Sequence, residues 1–142
     1  MIVPDINLIV YAYDRTVPAH TAARRWWEQT VSGSAPIGVP WVVMLAFVRL
    51  MTHPTLSENP MTVGQVREAT SAWLERASVR LLSPTPRTYE LMFDLLEQAG
   101  SGGNLSTDAM IAALALEHGG EVYSNDRDFD RFPGLIRRNP LA

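Results

Sequence analysis

The chain has 142 residues, of which 46% are hydrophobic and 19% charged, with a formal net charge of −3. This length predicts a single domain over residues 1–142, because domains usually hold about 100 to 200 residues. The absence of cysteine excludes disulfides, zinc–thiolate sites and thiol nucleophiles, and the absence of lysine excludes P-loops, Schiff-base enzymes and phosphatases that pair lysine with aspartate.

Membrane insertion and secretion are not expected from this sequence. No apolar run approaches the ~18 to 20 residues that span a bilayer, and the first five residues lack the basic segment and apolar stretch of a signal peptide. We therefore expect a cytoplasmic protein.

Short strands alternate with helices along the chain. A buried strand ends near Asp5 and leads into a short helix, and further strands are predicted at 37–39, 79–82, 121–124 and 135–137. Helices are predicted at 18–31, 40–51, 62–76, 88–98 and 108–117, with a loop at 55–60. We place the start of the last helix at Asp108, with Ser106 or Thr107 as its cap. This alternation predicts an α/β fold with a short parallel sheet and right-handed crossovers.

Four aspartates stand where a strand or glycine loop passes into the next element: Asp5, Asp108, Asp126 and Asp128. Each alone suits an ordinary helix start or turn. In an open parallel sheet, however, such positions converge at the carboxyl ends of the strands, where ligands bind. Clustered carboxylates stay ionised only beside a compensating positive charge, and oxygen ligands favour Mg²⁺ or Mn²⁺.

Three sequence blocks carry a family resemblance. They are Val3-Pro4-Asp5-Ile6-Asn7-Leu8, Asn104-Leu105-Ser106-Thr107-Asp108 and Ser124-Asn125-Asp126-Arg127-Asp128-Phe129. In this order and spacing they resemble the PIN-domain ribonucleases, and most closely the VapC-type toxins of bacterial toxin–antitoxin modules. The resemblance implies a three-layer sandwich with a central parallel sheet flanked by helices, and a Mg²⁺- or Mn²⁺-dependent endoribonuclease with a cognate antitoxin.

The resemblance also assigns roles to particular residues. Asp5, Asp108 and Asp126 match the catalytic, metal-binding acids of the family, with Asp128 as a neighbouring or alternative metal ligand. Asn7 and Ser124 match polar residues that orient these acids or bound water.

One family acid is missing. The glutamate normally found on the helix after the second strand would fall near Ala46, and residues 40–51 contain no acid. Either another carboxylate takes its place, or the metal keeps extra waters, or activity is weak.

An RNA substrate calls for cations around the acidic crevice. Arg127 and Arg131 flank the last acidic block, and Arg49 lies one helical turn from Ala46, so these three are the candidate RNA-binding residues. Single-stranded loops are the expected RNA targets, since a protein reads splayed bases more readily than a duplex. We expect an exposed aromatic and aliphatic surface that includes Trp26, Trp27, Trp41 and Trp73, and such a surface indicates a homodimer.

Two other functions remain open from the sequence. The missing acid is also compatible with an inactive PIN-like module that binds RNA or a partner protein. A small acidic α/β phosphatase is the third hypothesis. The absence of lysine argues against it, as does the motif Asp5-Ile6-Asn7, where an Asp-x-Asp would be expected.

Overall fold

A computed structural model describes residues 1–56 and 59–142, so the loop predicted at 55–60 lies partly outside the described residues. The strands are β1 (Ile2–Pro4), β2 (Ile37–Pro40), β3 (Val79–Leu82), β4 (Glu121–Tyr123) and β5 (Arg137–Arg138). The helices are α1 (Ile6–Tyr13), α2 (His20–Ser32), α3 (Trp41–Thr52), α4 (Val63–Leu74), α5 (Pro86–Ala99) and α6 (Leu105–Glu117), and a short 3-10 helix covers Arg127–Arg131.

The five strands form one parallel sheet in the order β3-β2-β1-β4-β5. The chain builds outward from β1 to β2 and β3, then returns to the other side of β1 to add β4 and β5. This reversal puts a topological switch point between β1 and β4, and parallel sheets bind ligands in the crevice outside such a point. The α/β fold with a short parallel sheet flanked by helices is thereby confirmed.

Helix α6 is the most deeply buried of the helices. Its residues from Ile111 to Ala115 are fully buried, as are strand residues such as Val3 and Val122. A helix whose middle is apolar on all sides must lie in the core. Polar side chains remain at its two ends, with Asp108 in the first turn and Glu117 as the last residue. The core thus fixes the position of that aspartate.

Helix α6 starts three residues earlier than predicted, and neither Ser106 nor Thr107 caps it. A turn at Gly102 and Gly103 supplies the first acceptors, since Leu105 N donates to Gly102 O and Ser106 N to Gly103 O. Gly103 has a positive φ of 58°, which favours glycine. The turn therefore leads the chain directly into the helix, and Asp108 lies inside its first turn.

The tryptophans do not form the exposed surface predicted from the sequence. Trp27 and Trp73 are each only 3% exposed and pack against each other with ring centroids 5.2 Å apart. Trp26 is half-buried and stacks on Tyr123, which leaves Trp41 as the exposed member of the four, at 43%. Burying an indole removes a large apolar area from water, so burial in the core is favoured over exposure at the surface.

No helix in the described part of the chain is long and apolar enough to cross a bilayer.

Strand β2 contains a tightly enclosed glycine, Gly38, which provides a test of this packing. A Cβ at this position would lie 2.6 Å from both Leu82 Cδ1 and Met1 Sδ. We expect Gly38→Ala to lower the free energy of unfolding by about 1–3 kcal/mol, because overpacking forces neighbouring side chains out of their rotamers. Urea denaturation measures this change.

Gly64 provides the matched control. It lies in the first turn of α4, where a Cβ would come no closer than 3.8 Å to Thr62 Oγ1. Gly64→Ala should raise stability by up to about 1 kcal/mol, because alanine is the better helix former. Equal effects of the two substitutions would contradict the packing of β2 described here.

Candidate active site

The first and fourth strands bring Asp5 and Ser124 together. Pro4 is in register with Tyr123, so the next residue of each strand lies at the same edge of the sheet. Asp5 N donates to Tyr123 O at 2.9 Å, and Ser124 Oγ donates to Asp5 Oδ2 at 2.7 Å. Both side chains are buried. The remaining oxygen of Asp5 caps α1 by accepting from Ile6 N at 2.7 Å.

The segment after β4 places two further carboxylates beside this pair. Asp126 N donates to Ser124 Oγ at 2.9 Å, so one hydroxyl links Asp5 to the next segment. Asp126 Oδ1 then accepts from Asp128 N at 2.9 Å and caps the 3-10 helix that starts at Arg127. Asp128 is exposed and Asp126 is half-buried.

Asp108 completes the cluster from the first turn of α6. Each of Asp108, Asp126 and Asp128 offers a carboxylate oxygen, and these oxygens lie within 4.8 Å of one another. Among the described residues, these are the acids that come close enough to share a cation. Direct ligation of a metal by Asp5 stays a prediction, since both of its oxygens already accept hydrogen bonds.

The cluster is electrostatically costly without a cation. The pKa of Asp108 is raised to about 7, first by burial and then by the charges of Asp5, Asp126 and Asp128. Burial also raises the pKa of Asp5, an effect that the hydrogen bonds from Ser124 and Ile6 oppose. Three carboxylates from two segments form an oxygen-only donor set that suits a hard divalent cation. No cationic side chain of residues 1–56 and 59–142 is hydrogen-bonded to them.

The remaining predicted site residues lie on helices α1 and α3. Asn7 is half-buried in the first turn of α1, two residues after Asp5. Ala46 is half-buried on α3, and Arg49 is exposed in the last turn of that helix. The structure thus brings Asp108, Asp126 and Asp128 together, with Asp5 and Ser124 beside them.

The arginines near the cluster fall into two groups. Arg127 and Arg131 are exposed on the 3-10 helix, and Arg131 Nη2 donates to Ala99 O at 3.3 Å. Arg138 is instead ion-paired with Glu121. Arg127 and Arg131 are therefore the better placed to meet an incoming anion.

Arg137 is a positioning residue that sequence reasoning missed. Its guanidinium contacts both oxygens of Asp130, at 2.9 and 3.0 Å, and Nη1 donates to Ser124 O at 3.1 Å. It thus fixes the backbone of the serine that holds Asp5. No sequence signal could have found this contact, because Arg137 lies seven positions after Asp130 and a mostly irregular segment connects them.

The raised pKa of Asp108 predicts an unusual pH dependence of stability. Between about pH 4 and pH 7 the folded chain keeps a proton on Asp108 that the unfolded chain has lost. Stability without metal should therefore fall as pH rises through this range, by about 1–2 kcal/mol after allowance for solvent screening. Asp108→Asn should remove this part of the pH dependence, as measured by thermal melts in EDTA from pH 4 to 8.

Asp94→Asn is the matched control, because Asp94 is exposed on α5. It should keep the pH dependence of the parent chain. Identical pH profiles for the Asp108→Asn variant and the parent would contradict the raised pKa of Asp108, to which burial and the neighbouring carboxylates both contribute.

Comparison with known proteins connects this geometry to a family. The PIN domain family model matches residues 2–135. Ribonuclease VapC37 of Mycobacterium tuberculosis is 37% identical over 142 residues, covering 100% of this chain and 99% of that protein.

Two solved structures share the fold at lower sequence identity. One is the crystal structure of VapC20 from Mycobacterium tuberculosis, described as a toxin that cleaves the sarcin-ricin loop, with a TM-score of 0.71, 18% identity, and coverage of 96% of this chain and 97% of that one. The other is a toxin–antitoxin complex from Klebsiella pneumoniae, with a TM-score of 0.66, 15% identity, and coverage of 99% and 98%. The resemblance seen in the three sequence blocks is thereby confirmed: the chain belongs to the PIN-domain family, among the VapC-type ribonucleases.

Proposed function

We propose that this protein is a Mg²⁺- or Mn²⁺-dependent endoribonuclease toxin that hydrolyses RNA phosphodiester bonds and is inhibited by a cognate antitoxin. The observation that carries the proposal is the convergence of Asp108, Asp126 and Asp128, whose carboxylate oxygens lie within 4.8 Å of one another. Such a cluster is stable in ionised form only with added positive charge. Relatives named ribonucleases support the same reaction class.

Asp108, Asp126 and Asp128 would hold the divalent ion. When bound, that ion supplies positive charge for the scissile phosphate and lowers the pKa of a water molecule. Asp128 takes the place of the acid missing near Ala46, because it adds a third carboxylate to the cluster from a different element. Asp5 accepts a hydrogen bond from Ser124 and adds negative charge next to Asp108.

The arginines explain how an acidic site can receive a polyanion. Arg127 and Arg131 stand exposed on the helix that carries Asp128, and Arg49 stands exposed on α3. Their guanidinium groups can contact two phosphate oxygens each. A single-stranded RNA loop is the proposed substrate, and its binding should weaken as salt rises.

Cleavage of total RNA tests the proposal. The purified chain should cut RNA in Mg²⁺ or Mn²⁺ and stop cutting in EDTA, and Asp108→Asn or Asp126→Asn should lower the rate at least about 100-fold, because each removes a charged ligand. Gel or sequencing analysis of the fragments measures the rate.

Asp94→Asn is again the control, and it should cut like the parent chain. RNA cutting that is equal in EDTA, or equal in all three variants, would contradict a metal-dependent nuclease. RNA binding without cutting would instead support the inactive binding module, an alternative that the ribonuclease relatives do not favour.

Homodimerisation is a second part of the proposed function. It rests on an exposed apolar face and not on the group of four tryptophans named from the sequence. A hollow of about 390 Å³ between α3, α5 and α6 is lined mainly by apolar side chains, among them Trp41, Leu45, Met92 and Met110. Leu45 is 64% exposed and Trp41 43%. Large exposed apolar patches mark interaction surfaces, and we propose that a second copy covers this one.

Leu45→Glu should shift the chain from dimer to monomer in light scattering, because a buried unpaired carboxylate is costly at an interface. Val63→Glu is the control, since Val63 is 70% exposed on α4, outside this face. A parent chain that is already monomeric at high concentration would overturn the dimer.

A further inference from the structure

Arg137 contacts both ends of segment 124–130, which carries two acids of the cluster. Its Nη1 donates to the backbone oxygen of Ser124 at 3.1 Å, where the segment begins. Its Nε and Nη2 donate to the two oxygens of Asp130, at 2.9 and 3.0 Å, where the segment ends. One guanidinium thus closes the segment into a loop, and we call these three contacts the Arg137 bridge.

The sheet fixes the point from which the Arg137 side chain starts. Arg137 lies on β5 in register with Val122 of β4. The backbone is hydrogen-bonded on either side of it, from Val122 N to Ile136 O at 3.0 Å and from Ser124 N to Arg138 O at 2.9 Å. The guanidinium therefore reaches the acidic segment from a strand that is itself tied to β4.

The ion pair within the bridge differs from an ordinary surface pair. The side chain of Arg137 is only 15% exposed, against 54% for Asp130. Exposed ion pairs stabilise a protein little, but a guanidinium that makes two parallel contacts with one carboxylate is the exception, because its geometry is well defined. The Arg137 bridge is therefore a defined connection within the fold.

Arg137 is poorly available to RNA. Each of its three guanidinium nitrogens already donates a hydrogen bond to Ser124 or Asp130. Arg127 and Arg131, in contrast, are exposed. The function of Arg137 is therefore to be sought inside the protein, in the segment that it contacts.

The bridge opposes the repulsion within the acidic cluster. Asp126 and Asp128 carry like charges close to Asp108, and like charges separate unless the chain restrains them. Asp126 N donates to Ser124 Oγ, and Asp128 N donates to Asp126 Oδ1, both at 2.9 Å. Both hydrogen bonds depend on the backbone path of the segment, whose two ends the bridge joins.

We propose that Arg137 is a positioning residue for the cation ligands, because the bridge holds Asp126 and Asp128 in the arrangement that binds a divalent cation. The part concerning the cation rests on the proposed function, whereas the restraint of segment 124–130 does not. Removal of a group that orients metal ligands commonly weakens metal binding by about 10- to 100-fold.

The direction of one effect separates positioning from simple charge. The hydrogen bond with Asp130 raises the pKa of Arg137, and the charge of Asp126 adds to the rise, so Arg137 is a cation within electrostatic reach of the cluster. By charge alone, Arg137→Gln would strengthen Mn²⁺ binding, because it removes a nearby positive charge. Positioning requires the opposite, and we expect the dissociation constant for Mn²⁺ to rise at least about tenfold in isothermal titration calorimetry.

Arg137→Lys and Arg138→Gln complete the titration series. Lysine keeps the charge at position 137 but lacks the planar fork that makes the three contacts, so we expect the dissociation constant to rise at least about threefold. Arg138→Gln is the matched control, because it removes a cation at the next position and breaks an ion pair with Glu121 in which Arg138 is 57% exposed. It should keep the dissociation constant within about twofold of the parent chain.

Amide exchange measured by NMR in EDTA tests the restraint without any metal. The N–H groups of Asp126 and Asp128 should exchange at least about tenfold faster in Arg137→Gln than in the parent, because the segment opens more often. Asp130→Ala removes the exposed partner and should accelerate the same two groups at least about threefold. Arg138→Gln should leave their rates within about twofold, and the amides of the buried helix α6 should keep the parent rates in every variant.

Several results would overturn the proposal. They are an unchanged or lower dissociation constant in Arg137→Gln, full recovery of the parent affinity by Arg137→Lys, unchanged exchange at Asp126 and Asp128, or equal acceleration of the α6 amides, which would mean general destabilisation. A parent chain that binds no Mn²⁺ would contradict the proposed function and the cation part of this proposal, and the exchange rates would still decide whether Arg137 restrains the segment. Failure of the nuclease proposal and failure of the bridge are therefore distinguishable.

Discussion

The buried hydrogen bond from Ser124 Oγ to Asp5 Oδ2 is the interaction on which the site depends. It joins residues 119 positions apart in the chain, at the point where β1 and β4 end side by side. The same hydroxyl accepts from Asp126 N, so one side chain sets the spacing of two acidic segments. Without these partners a carboxylate as buried as Asp5 would be strongly destabilising.

The carboxylates around this hydrogen bond carry more negative charge than neighbouring cationic side chains neutralise. Asp108 is held by the most buried helix of the protein, and Asp126 by a cap on the following 3-10 helix, so neither can move away freely. Burial, and after it the charges of Asp5, Asp126 and Asp128, raise the pKa of Asp108. Relief of this repulsion by a bound cation is the physical basis of the proposed metal-dependent activity.

The sequence predicted the parts of the fold that local chemistry determines. The apolar residues 2–4 followed by Asp5 indicated a strand and a helix start, and alternating elements indicated a parallel sheet. The predicted start of α6 was wrong, because a turn with a positive φ at Gly103 replaces a side-chain cap. The prediction of an exposed tryptophan surface was wrong too, since the burial of Trp27 and Trp73 depends on their tertiary contacts. The contacts of Arg137 with Ser124 and Asp130 depend on how the chain folds back, which no local pattern encodes.

In the proposed site, carboxylates from distant segments share one hard cation, and locating that cation is the most direct test. Crystals soaked in Mn²⁺ should give one anomalous peak within coordination distance of Asp108, Asp126 and Asp128, at about 2.1–2.3 Å from the ligand oxygens. A well-diffracting soaked crystal with no peak there, or with a peak held by other residues, would contradict the account.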